Sequence, residues 1–169
     1  MLEIWESHAA VVACLARPQI LDRFFPAGAF PCRAAPDELL LLGPRWKAND
    51  LERAAAAVTE SDGSALVVDQ TSGWTCWTLA GAGADEAFTR LSAVPLPPER
   101  PVFLQGAVAD IQAKVIARED CIDILVLSTA AHHMRKRMLA ACRDLDPSAL
   151  APRELELAAA AASSEGVPA

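Results

Sequence analysis

VFLQGAVADIQAKVIAREDCIDILVL (Val102–Leu127) decides the fold. It holds three strand-length apolar runs, Val102–Ala109, Ile111–Ala117 and Ile122–Leu127, with Ile111, Ala113, Val115 and Ala117 on one face of the middle run. The charged turn Arg118-Glu119-Asp120 joins the second run to the third, so this pair reads as an antiparallel hairpin. Three successive strands with no helix between them point to an α+β domain rather than to alternating parallel units.

Toward the C-terminus, Ser128 or Thr129 caps a helix reaching about Cys142, with Met134, Met138 and Ala141 on one stripe. Asp146-Pro147 ends it. Pro152 then opens a last Ala-rich helix extending to about Ala162, and the terminal SSEGVPA is expected to fray.

Toward the N-terminus, a joint containing Pro95, Pro97, Pro98 and Pro101 cannot be helical. Before it come a helix over Ala84–Leu91, the turn Gly81-Ala82-Gly83, and strands over Trp74–Leu79 and Ala65–Asp69. A further helix starts at Asn49 or Asp50, runs to about Glu60, and is stopped by Ser61-Asp62-Gly63. Glu38–Leu42 is a buried strand ended by Gly43-Pro44, and residues 1–17 are one strand or two. Pro18 to Pro36 reads as an ordered irregular loop, because Phe24, Phe25 and Phe30 need somewhere to bury. The order ββ-α-ββ-α-βββ-α predicts an α+β fold with a mixed, largely antiparallel sheet and packed helices. Residues 1–145 form one domain on this reading, and 146–169 an Ala-rich C-terminal helix or tail with a flexible end.

Composition sets the outer limits. The chain has 169 residues, a net charge of −7 and 53% hydrophobic content, of which 35 residues are alanine. No apolar stretch approaches the ~18 residues of a spanning helix, so no membrane partner is expected. The acidic balance argues against nucleic acid. Cys14, Cys32, Cys76, Cys121 and Cys142 are scattered and suggest neither a disulfide framework nor a zinc knuckle. Glu3 and Glu6 stand where a secretion signal carries Lys or Arg, which leads us to expect a cytoplasmic protein.

The residues that could carry chemistry read instead as structural. His132 and His133 point about 100° apart on a helix and cannot face one ligand, although a metal site with Cys121 is conceivable. His8 has no motif partner. The basic run His132–Arg137 reads as a solvated face or as a dock for an acidic partner. Gly81-Ala82-Gly83-Ala84 lacks the third glycine of a dinucleotide loop. Cys76 reads as a small core residue, and Asp69 as an Asx-turn acceptor before Thr71-Ser72-Gly73. No catalytic, cofactor-binding or metal-binding residue is assigned.

Three stretches carry a family resemblance: VVDQTSGWTCWTLAGAGADEAFTRLSAVPL (Val67–Leu96), DRFFPAGAFPCRAAPDELLLLGPRW (Asp22–Trp46) and VIAREDCIDILVLSTAAHHMRKRML (Val115–Leu139). Together they resemble the gamma subunit of heterotetrameric sarcosine oxidase. The resemblance implies the fold of the folate-binding domain of the glycine-cleavage T protein. It also implies a complex with alpha, beta and delta subunits that oxidatively demethylates sarcosine to glycine, hydrogen peroxide and formaldehyde or methylenetetrahydrofolate. FAD, FMN, NAD, zinc and tetrahydrofolate would sit on those partners, with none on this chain. Where a folate-using T-protein domain carries an Asn-Asp pair, this sequence has Ala93-Val94-Pro95-Leu96 and no carboxylate. The resemblance therefore implies a non-catalytic subunit. Related alternatives are the small subunit of an N-methyl amino acid dehydrogenase, such as one acting on N-methylglutamate, and a stand-alone folate-binding protein. On the subunit reading, Trp46, Trp74, Trp77, the Phe24–Phe30 loop and the C-terminal arm are the candidates for apolar contact with partners.

Overall fold

The computed structural model describes residues 1–157, and it is organised around one long strand. β1 (Glu3–Leu15) runs unbroken for 13 residues, and from Ala9 to Cys14 it is buried at every position. Its odd positions Ala9, Val11 and Ala13 face one core, while Ala10, Val12 and Cys14 face another. β2 (Phe30–Ala35) and β3 (Glu38–Pro44) follow, then β4 (Leu66–Asp69), β5 (Trp74–Ala80), β6 (Val102–Val108), β7 (Ile111–Ala117) and β8 (Cys121–Leu127). The principal sheet runs β2-β3-β1-β5-β8-β7-β6, every neighbouring pair antiparallel. Its two ends approach each other, where Gln105 Nε2 on β6 donates to Ala34 O on β2 over 2.9 Å. The sheet is nearly a barrel.

Inside it pack Val11, Cys32, Leu40, Leu42, Cys76, Ile116 and Leu125. Two helical flanks cover the outside. α3 (Ala84–Leu91) and α4 (Ala131–Ala141) bury Phe88, Met134 and Met138 against Leu79, Ile122 and Ile124. The short α1 (Pro18–Leu21) and the longer α2 (Ala48–Thr59) cover Val12, Leu39 and Leu41 with Leu21, Leu51 and Ala55. The hairpin through Arg118-Glu119-Asp120 forms as expected, with Ala117 opposite Ile122.

Several expectations are corrected. Part of the expected Pro18–Pro36 loop is regular: α1 starts at Pro18, and β2 pairs with β3 despite Pro31. Pro31 is tolerated because β2 is an end strand, where a missing N–H breaks no inner ladder. Neither Ser128 nor Thr129 caps α4. A 3-10 turn, Ser128–Ala130, precedes it, and Ser128 Oγ donates instead to Ser72 O. Ala141 is exposed, and Cys142 takes the buried position beyond Met138. Neither Asn49 nor Asp50 caps α2, which begins at Ala48.

The helix expected from Pro152 does not start there. Residues 148–154 supply β9 (Ser148–Ala149) and β10 (Arg153–Glu154), both parallel to β1, and Leu155 enters the barrel interior 1% exposed. The unpaired carbonyls of Leu2, Ile4 and His8 explain the change, since they accept from the amides of Ser148, Leu150 and Leu155. The rest of that expected helix lies outside the described residues. With this segment docked, one edge of β1 carries β5 and β4, and the other carries β9, β10 and β3. No helix among the described residues is long and apolar enough to cross a membrane.

Candidate functional site

A polar chain crosses the otherwise apolar sheet at the centre of β1, β5 and β8. Ser7 and Thr78 are both buried, with their hydroxyl oxygens 2.6 Å apart. Thr78 Oγ1 donates to Asp123 Oδ1 over 2.7 Å, and Arg118 Nε donates to Asp123 Oδ2 over 2.7 Å. Because Thr78 gives its proton to the carboxylate, Ser7 is the donor between the two hydroxyls. Arg118 also donates through Nη1 to Glu156 O, which ties the C-terminal segment to the chain.

Burial holds the Asp123 carboxyl above its ordinary range, and the Arg118 guanidinium and the Thr78 hydroxyl offset that rise only in part. Burial works to lower Arg118, but Asp123 outweighs it and raises the guanidinium overall. Both carboxylate oxygens are engaged by neighbours, so Asp123 ties β8 to β5 and, through Thr78 and Ser7, to β1. Sequence reasoning passed over this residue. Its signal was a lone acid inside the apolar strand CIDILVL.

Beside the chain, between β1, the β7–β8 turn and the C-terminal segment, lies an open cleft of about 250 Å³ lined by Trp5, Ser7, Arg118, Cys121, Arg153 and Glu156. Arg153 stacks over Trp5, its guanidinium carbon 4.8 Å from the ring centroid. Burial holds the Cys121 thiol up at about 11, and raises Cys32 and Cys76 as well. None of the three is an activated nucleophile. Cys76 is a 2% exposed core residue, as its position between tryptophans suggested.

The remaining sequence candidates do not converge. Cys121 starts β8 and the His132-His133 pair follows its end, so the strand holds them roughly 20 Å apart. Among the described residues, no group of three or more His, Cys, Asp or Glu side chains could hold a metal ion. His8 Nδ1 lies 3.6 Å from Glu154 Oε1 at the surface. The Gly81-Ala82-Gly83 turn serves packing: Gly81 has φ +85°, and a Cβ there would sit 2.5 Å from Met1 O. Asp85 and Glu86 in the first turn of α3 would repel a phosphate at its N-terminus. Asp69 is the Asx acceptor expected, taking Thr71 N over 2.8 Å.

These features define a class: an α+β domain whose largely antiparallel sheet closes almost into a barrel between two helical flanks. The same fold occurs in heterotetrameric sarcosine oxidase from Corynebacterium sp. U-96, solved in complex with pyrrole 2-carboxylate. That likeness has a TM-score of 0.74 at 14% identity, covering 93% of this chain and 88% of that one. Glycine cleavage system aminomethyltransferase T from Bartonella henselae is also similar, at TM-score 0.65 and 12% identity, over 88% of this chain but 47% of that one. The fold is thus T-protein-like, as the sequence resemblance implied. No protein-family model matches the sequence, and no curated protein does.

Proposed function

We propose that this chain is the small, gamma-type subunit of a sarcosine oxidase-like flavoenzyme, and that it contributes structure rather than catalysis. The observation that carries the reading is the two-way coverage. The chain spans 93% of itself and 88% of a single chain from a sarcosine oxidase heterotetramer, yet under half of the T protein. A match that nearly exhausts both chains favours an equivalent subunit over a fragment of a larger folate enzyme.

The polar chain supports a structural role, because Asp123 is committed on both oxygens to Thr78 and Arg118. On this reading the flavins FAD and FMN, NAD, zinc and tetrahydrofolate belong to alpha, beta and delta partners in the cytoplasm. The complex demethylates sarcosine or a related N-methyl amino acid such as N-methylglutamate, the choice resting with the flavin-bearing subunit.

Co-expression with the flavin-bearing subunits from the same source tests the assignment. A stoichiometric complex that oxidises an N-methyl amino acid, and that fails to assemble without this chain, is the expected result. Elution of the chain alone, with those subunits present and folded, overturns it. Titration with a tetrahydrofolate analogue addresses the stand-alone folate alternative, for which saturable micromolar binding to the isolated chain would be required.

A further inference from the structure

The aromatic side chains sort sharply by environment. Trp77 is buried against the α3–α4 flank, Trp74 and Phe30 pack toward the barrel interior, and Phe24 lies under α2. Phe25 and Trp46 remain 73% and 69% exposed. The loop that follows Phe25 lies against the turn that carries Trp46. Gly28, three residues past Phe25, lies so close to Lys47 that a Cβ there would fall 2.1 Å from Nζ. The same ammonium sits 5.1 Å from the centroid of the Trp46 ring. Lys47 thus bridges the Phe25 loop and the Trp46 turn.

Arg23, Arg45 and Lys47 make no side-chain ion pair among the described residues. The neighbouring carboxylates of Asp22 and Asp50 are already taken by Arg33 and Arg53. Lys47 thus lies at the exposed Trp46 ring without a carboxylate partner, and Arg23 and Arg45 stand within two residues of the two aromatics in sequence, with Glu154 reaching only the Arg45 amide.

We propose that Phe25, Trp46 and Lys47 form the surface on which this chain docks against an acidic face of its flavoprotein partner. The proposal rests on the subunit reading above and gives it an address. Aromatic anchors supply most of the affinity at such contacts, while the cations steer the encounter and fix its register. A second copy of the chain fits less well, because self-association would lay a patch with unpaired cations on the same patch rather than on carboxylates.

The test is a titration of the purified flavin-bearing subunits with the full chain, at about 50 and about 300 mM NaCl. Trp46→Ala and Phe25→Ala should each weaken binding about tenfold or more. Lys47→Glu should weaken it at low salt and flatten the salt dependence. The control is Arg135→Glu with Lys136→Glu, on the separate basic face of α4, which should leave affinity within about twofold. Circular dichroism and thermal midpoints matching the parent confirm that each variant is folded. If the parent chain binds and Trp46→Ala binds equally well, the surface is wrong and the subunit reading survives. If the parent chain binds no flavin-bearing subunit, both fall. A concentration-dependent dimer abolished by Trp46→Ala assigns the patch to a second copy and overturns the proposal.

Discussion

Arg118 and Asp123, five residues apart across the β7–β8 turn, form an ion pair whose acid is fully buried and whose base is 19% exposed. The pair costs desolvation energy, so its value lies in what happens when one half is lost. Arg118→Met leaves a buried carboxylate facing Thr78 alone, and should destabilise the fold by about 3–5 kcal/mol in urea denaturation. Adding Asp123→Leu to the same chain should restore most of that loss, since no unpaired charge then remains. Equal instability of the single and double variants would show that the pair does more than satisfy itself.

Asp62 predicts an acid-dependent effect. Its carboxylate accepts from Arg17 N at 2.9 Å and from Ser64 Oγ at 2.7 Å, which joins the end of α2 to the end of β1. Those hydrogen bonds, led by the Arg17 amide, lower its pKa to about 2 from an ordinary 3.8. A depressed acid stabilises the fold above its unfolded pKa and loses that contribution as pH falls through the folded one. Asp62→Asn should therefore lower Tm at pH 7, and the gap from the parent should narrow between about pH 4 and pH 2. A gap that stays constant across that range would contradict the assignment.

Leu155 predicts the strength of the C-terminal attachment. It is the one side chain of residues 148–157 that is buried outright. Leu155→Ala should cost about 2–5 kcal/mol if the cavity stays open. Hydrogen exchange should show more: the Leu155 amide, bonded to His8 O, should lose protection before the β5–β8 ladder does. Uniform loss of protection across the sheet would argue that the segment and the barrel unfold as one.

Two glycines make opposite predictions. Gly81→Ala places a Cβ 2.5 Å from Met1 O on a backbone with φ +85°, and should destabilise by more than about 1 kcal/mol. Gly63→Ala meets no atom within 4 Å at an exposed turn, and should be neutral or stabilise by about 0.4–1 kcal/mol. Thermal melts of the two variants side by side decide both.

The strands of this fold were legible where burial repeats every second residue. Ile111, Ala113, Val115 and Ala117 declare their shared face without reference to anything distant, and the structure packs all four toward the α3–α4 flank. The Asp69 turn was legible for the same reason, since its hydrogen bond spans two residues. What escaped depends on partners far away in sequence. β2 is hidden by Pro31 until it is known to be an end strand, and β10 is hidden by local helix propensity until the bare edge of β1 is known. Asp123 carried a visible signal, an acid in an apolar strand, but its partner Thr78 lies 45 residues earlier. Phe25 and Phe24 are neighbours in the chain with opposite fates, 73% against 6% exposed, and no composition separates them.

The docking of residues 148–154 on β1 also sets a timetable for synthesis. β1 is paired along one edge by residues that follow it by more than 140 positions. The carbonyls of Leu2, Ile4 and His8 therefore wait through the translation of roughly 140 residues before receiving their amides. During that interval the first half of an extended strand has an open side, the circumstance in which nascent chains mispair with one another. Closure of this edge of β1 is therefore a late event in folding, whatever the order in which the other strands pair.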